Sequence, residues 1–216
     1  RDSVFEQNEA SSGGAIALQD SQVEIYRSTI RDNTADSGGG GISSDSTLSD
    51  LRISDSSIYG NHASDGAGIW SRDGDVSLTN VTLSGNIATG AGGGMLSSFG
   101  SATLDNVTVT TNQASTAGGI TSNSAVVNLR NSVIAANTAS IADPDLSGST
   151  YRSLGSNFVG DIGGATGLQD GENGDHVGDS AGSGTIAPML GPLQDNGGTT
   201  LTHAPLAGSP VIDAGN

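Results

Sequence analysis

The chain has 216 residues, a formal net charge of −16, and arginine as its only strongly basic residue type. So acidic a surface excludes nucleic-acid binding by counterion displacement and docking on an anionic membrane, and the lack of Cys excludes disulfides and thiolate metal sites. Hydrophobic residues make up 33% and aromatics 3%, too little for a wide core but enough for a thin one built from a repeated aliphatic stripe.

From the N-terminus onward the chain is a repeat. Asn-x-Ala occurs at Asn8, Asn33, Asn61, Asn86, Asn112 and Asn137, at spacings of 25, 28, 25, 26 and 25 residues. Three residues before each Asn stands a bulky apolar residue: Phe5, Ile30, Ile58, Leu83, Val109 and Ile134. A glycine cluster then leads into Ile16, Ile42, Ile69, Met95 and Ile120, and a third apolar column follows at Ile25, Ile53, Leu78, Leu104 and Leu129. Alternation around these positions has period two, as in Val23-Glu24-Ile25, so each marks a short strand. Three short strands per 25 residues cannot bury a face alone. Stacked turns can, each strand pairing in parallel with its copy one turn away. The reading is an all-β parallel β-helix with three strands per turn over residues 1–140.

The six asparagines are expected to form a structural ladder along the rod, their amides hydrogen-bonding from turn to turn. A second column, Asp2, Arg27, Asp55, Asn80, Asn106 and Asn131, is expected at a tight corner with left-handed backbone. The one long turn carries two extra residues between Ile42 and Ile53, which should bulge within Ser43 to Arg52. Because the chain opens inside a repeat, continuity with further turns before Arg1 is expected.

After Ala139 the period fails. Residues 141–216 read as irregular last turns and a C-terminal cap, with four of the five prolines from Pro188 onward. Met189, Leu190, Leu193, Leu201, Leu206, Val211 and Ile212 are expected to close the C-terminal end of the core, where unpaired strand edges need cover.

Two patterns carry a family resemblance. Phe5-Glu6-Gln7-Asn8 with Gly13-Gly14-Ala15-Ile16 resembles the F-x-x-N and G-G-A-I hallmarks of polymorphic outer-membrane-protein repeats. The tail, from Leu190-Gly191-Pro192-Leu193 through Gly208-Ser209-Pro210-Val211-Ile212-Asp213-Ala214-Gly215, resembles the end of bacterial choice-of-anchor Q surface proteins, as does the upstream Ser153-Leu154-Gly155-Ser156-Asn157. The resemblance implies a right-handed β-helix exported from a bacterial cell and placed outside it or on its surface. It transfers no catalytic motif.

Three candidate sites follow from the residues. Register places Trp70, the only Trp, on the outward face beside Arg72 and Asp45, an arrangement suited to a glycan platform or to a covering partner chain. Asp170, Glu172, Asp175 and Asp179 place hard oxygen donors on a glycine-rich loop, a candidate Ca2+ site without the spacing of an EF-hand. No carboxylate pair or His-centred triad is readable, so no catalytic residue is assigned. The leading expectation is a non-catalytic structural or adhesive solenoid. The alternatives are a polysaccharide-binding or lyase-like β-helix, and an accessory subunit of a larger surface complex.

Overall fold

The computed structural model describes residues 1–215, and every regular element among them is a strand. The chain winds as a parallel β-helix with four stacked sheets. The first sheet has eight strands, beginning at Val4–Glu6 and ending at Phe158–Val159 and His176–Val177. The third sheet starts at Ile16–Leu18 and the fourth at Gln22–Tyr26, each with six strands. These are the three expected strands of each turn. A short strand follows each ladder Asn, two residues long in the first four turns, as at Glu9–Ala10, and longer at Gln113–Thr116 and Thr138–Ala142; these build a further six-stranded sheet, the second, lined by Ala35, Ala63, Ala88 and Ala114. At about 4.8 Å per step, eight strands make a rod on the order of 34 Å long.

Register follows the apolar columns. Phe5 pairs with Ile30, Ile30 with Ile58, Ile58 with Leu83 and Leu83 with Val109. Ile42, Ile69, Met95 and Ile120 stack likewise in the third sheet, and Ile53, Leu78, Leu104 and Leu129 in the fourth. All but Phe5, which is half-buried in the first turn, are essentially fully buried, and together they form one continuous core. Burying each aliphatic side chain is worth about 2–3 kcal/mol, and the stripe supplies one per strand.

The asparagine ladder has a direction. In every turn the backbone N–H and Nδ2 of one Asn both donate to Oδ1 of the next. Asn8 donates to Asn33, Asn33 to Asn61, Asn61 to Asn86, Asn86 to Asn112 and Asn112 to Asn137, at 2.9–3.1 Å. Nδ2 also reaches a carbonyl one turn back, as from Asn86 to Ile58 O at 3.0 Å. The residue before each Asn is left-handed: Gln7, Asp32, Gly60, Gly85, Thr111 and Ala136. Four of these are not glycine, so the buried amide holds a corner that L-residues rarely adopt. The expected second corner column is left-handed throughout, with φ from 46° at Arg27 to 57° at Asn106. The long turn bulges at Ser46–Ser49, where Ser49 N–H donates to Ser46 O and Leu48 is exposed.

Winding continues past residue 140 through Leu146–Gly148, Tyr151–Ser153 and Phe158–Val159. Tyr151, Ala165, Leu168 and Val177 fill the last of the core. The expected cap is corrected here. None of Met189, Leu190, Leu193, Leu201, Leu206, Val211 and Ile212 is buried, and Met189, Leu206 and Ile212 are nearly half exposed. The tail instead forms an antiparallel hairpin, Leu190–Gln194 with Thr202–Pro205, that runs back along the outer face of the first sheet. Its prolines interrupt sheet pairing, so it lies against the flank as a strap while aromatic and aliphatic side chains of the winding chain close the end.

The ladder makes a quantitative prediction. Asn86→Ala removes the acceptor of Asn61 and the donors to Asn112 and Ile58 in a fully buried site. Urea unfolding should show a loss of about 2–4 kcal/mol, against under about 0.5 kcal/mol for an exposed control such as Ser183→Ala.

Candidate functional site

Trp70, Arg72 and Asp45 meet on the third sheet. Arg72 pairs with Asp45 across adjacent strands. Arg72 Nε lies 2.8 Å from Asp45 Oδ1, and the guanidinium lies 6.0 Å from the Trp70 ring centroid. The first of these is an ionic contact set off the N–H direction and makes no linear hydrogen bond. The indole does not stand free. A Cβ at Gly38 would come within 2.8 Å of two ring atoms, so one ring face is seated on the glycine corner of the preceding turn. Leu96, its neighbour in the same outward column, is 8% exposed.

Three of the four acidic loop residues are engaged, each with a different partner. Asp170 Oδ1 accepts from Val177 N–H, Asp179 Oδ1 from Ala181 N–H, and Asp175 Oδ1 from both N–H and Nδ2 of Asn157. Glu172 is exposed. Among the described residues, no three carboxylate or imidazole groups converge as metal ligands.

Spacing conceals a further feature, because both polar ladders end on a buried aspartate. The asparagine ladder finishes with Asn137 donating its N–H and Nδ2 to Asp145 Oδ1, at 3.0 and 2.8 Å. A parallel column runs from Ser132 to Asn157 to Asp175 in the same donor-to-acceptor sense. A chain of amides pointing one way finishes with unmet donors, and a carboxylate is the acceptor-only group that meets them. Asp145 follows Asn137 by 8 residues and Asp175 follows Asn157 by 18, so neither obeys the 25-residue period. No spacing rule could have found them; the geometry of the column does.

Asp145 is 3% exposed, and burial pushes its carboxyl up to about 6, with the hydrogen bonds from Asn137 opposing and the charge of Asp161 adding. Asp161 sits beside it in a 280 Å³ cleft with Ile186 and Pro188, its own Oδ1 accepting from Gly163 and Ser180. Both acids are committed to backbone donors.

The tail adds a Ser–His contact. His203 Nδ1 lies 2.7 Å from the Gly191 carbonyl and Nε2 lies 2.9 Å from Ser84 Oγ. The carbonyl can only accept, so Nδ1 carries the proton and Nε2 accepts from Ser84. Ser84 is 3% exposed and out of a substrate's reach, which makes the pair a clasp holding the strap to the rod.

A groove lies on the outer face of the fourth sheet. Glu24, Tyr26 and Arg52 stand over a floor of Ser54, Ser77 and Thr79 around about 350 Å³. Short hydroxyl side chains on consecutive strands leave this trough between taller neighbours. It was not foreseen from sequence, because small residues at outward positions carry no chemical signal of their own.

Residues 1–114 match the family model described as the right handed beta helix region. The chain belongs to that family. Comparison with curated proteins and with solved structures gives no match. Membership establishes the right-handed β-helix read from the repeat, and the family description carries no activity.

Two outcomes test this geometry. Gly38→Ala drives a methyl into the Trp70 ring and should lift it off its seat. Fluorescence emission of this sole Trp should shift to longer wavelength, with stability falling by about 1–3 kcal/mol. For Asp145, a folded-state value near 6 against 3.8 unfolded means protonation is favoured in the fold. Its contribution is fully present below about pH 3.8 and lost as pH rises through about 6. Unfolding free energies at pH 4 and pH 7.5 should therefore differ less in Asp145→Asn than in the parent, by on the order of 2 kcal/mol.

Proposed function

We propose that this right-handed β-helix is a non-catalytic structural or adhesive rod, displayed outside the cell or on its surface. What carries the reading is where the rod's cations are spent. Arg27 pairs with Asp2, Arg31 with Glu6, Arg72 with Asp45 and Arg130 with Asp105, each across neighbouring turns, and Arg52 pairs with Asp50. Such exposed pairs contribute less than about 1 kcal/mol each. Their effect is to leave few free cations on the flank to neutralise an acidic substrate, within a field already at −16. The recurrent amides are likewise consumed in the ladder. A bacterial origin and an adhesive partner rest on the resemblance of the repeat and tail. Incubation with uronate and neutral polysaccharides should release no reducing ends and no unsaturated product; turnover of any of them defeats the reading.

A second reading, polysaccharide binding without cleavage, has one observation in its favour: the fourth-sheet groove, with Tyr26 as a side wall and hydroxyls as a floor. Sugars stack on aromatic faces and exchange hydrogen bonds with small polar groups. A glycan array should then give signals that Tyr26→Ala abolishes and Trp70→Ala leaves in place. An array silent with the parent protein removes this reading and leaves the first intact.

A further inference from the structure

The ladder amides and five of the arginines are spent on neighbouring groups of the rod, and one cleft departs from this. It lies where the fourth sheet ends, between the strand Tyr151–Ser153 and the loop leading to Asp175, and encloses about 320 Å³. Arg152, Leu154, Gln169, Glu172, Asn173 and Asp175 line it.

Two groups there are unspent. Asp175 is 1% exposed, and its Oδ1 terminates the second ladder, but its Oδ2 has no hydrogen-bond partner. The comparison with Asp145 is internal to the molecule. Asp145 ends the other ladder in the same way, without leaving a buried oxygen unpartnered. A buried carboxylate oxygen left without a donor is costly and calls for one. The second unspent group is Arg152. It is exposed, and among the described residues its guanidinium forms no ion pair, unlike the five paired arginines of the flank. Glu172 shares the cleft with Arg152 but stands beyond ion-pair distance, so the two opposite charges leave space between them.

We propose that this cleft binds a small zwitterion of the α-amino acid type. The ammonium donates to Asp175 Oδ2 and Glu172, the carboxylate takes the Arg152 fork, and the Gln169 and Asn173 amides flank it. Leu154, 45% exposed at the mouth, offers apolar contact to an aliphatic side chain. The charge pattern selects against other occupants. A hard divalent cation would find two carboxylates, no third such ligand, and a guanidinium opposing it. A simple anion would meet Arg152 but be repelled by Asp175 and Glu172. Only a ligand with both charges a few ångströms apart satisfies both walls.

The test is calorimetric titration of the purified chain with glycine, L-leucine, acetate, ethylammonium and calcium chloride. Glycine and L-leucine should bind, L-leucine more tightly, and the singly charged probes should bind at least roughly tenfold more weakly. Arg152→Gln and Asp175→Asn should each weaken L-leucine by about tenfold or more. Asp175→Asn keeps the Oδ1 that ends the ladder and replaces only the orphaned oxygen. Its melting temperature without ligand should therefore match or exceed the parent's, which separates loss of binding from loss of fold. The proposal is overturned by no amino-acid binding up to about 50 mM, by acetate, ethylammonium or calcium alone binding as tightly as glycine, or by undiminished binding to folded Asp175→Asn.

Discussion

One side-chain oxygen shared by two donors of the turn below is the contact on which the rod depends. Parallel strand pairing alone tolerates slippage along the winding direction, because each short strand offers only two to five residues of register. The asparagine contact does not. Oδ1 accepts the backbone N–H and Nδ2 of the preceding Asn together, so a turn displaced by one residue leaves three buried polar groups unmet at once. The penalty per group is on the order of 1–3 kcal/mol, comparable to burying one of the core aliphatics. The thin core supplies cohesion and the ladder supplies uniqueness. A chain with few aromatics and no disulfide can then hold a single long winding.

A polarised ladder also imposes an end condition. Donors accumulate in one direction, and where winding stops a group must accept without donating onward. Asp145 and Asp175 meet that condition for two separate columns, and each does so across a loop shorter than a full turn. A carboxylate at such a place is buried whether or not its second oxygen is satisfied. The proton affinity of Asp145 and the orphaned oxygen of Asp175 are both consequences of closing the ladders. Buried carboxylates therefore gather at the C-terminal end of the rod, at Asp145, Asp161 and Asp175, while those along its flank stay at the surface.

Much of the winding was legible because each turn repeats the same physical demand. Apolar residues at Phe5, Ile30, Ile58, Leu83 and Val109 recur at the spacing of a turn, and the left-handed corner at Asp55, Asn80 and Asn106 announced itself by small polar residues. The insertion at Ser46–Ser49 was visible as a departure from a constant interval. What escaped reading lacks a repeat to reveal it. The strap is held by one Ser84–His203 clasp and a few flank contacts, so its apolar residues look like cap residues although they lie along the side. Gln7, Thr111 and Ala136 occupy left-handed corners with no compositional sign, because the Asn that follows each one supplies the restraint. The fourth-sheet groove arises from side chains that are merely short. Trp70 was located in the right column beside Arg72 and Asp45, but the glycine that seats its ring belongs to another turn and becomes visible only once the turns are stacked.

The distinction between spent and unspent polar groups is what separates architecture from recognition in this fold. Along the flank each arginine that meets a carboxylate of its own or the neighbouring turn is neutralised locally, and such pairs hold turns together without presenting charge to a partner. At the end of the winding there is no further turn to supply the complementary group. Arg152 projects from the last strand of the fourth sheet, and the position one turn farther on is occupied by loop. Asp175 closes its ladder at a depth where no neighbour reaches its second oxygen. Both departures have the same cause, the loss of translational repetition. In a solenoid, residual binding capacity is therefore expected where repetition stops, and here that places it beside the terminators of the ladders.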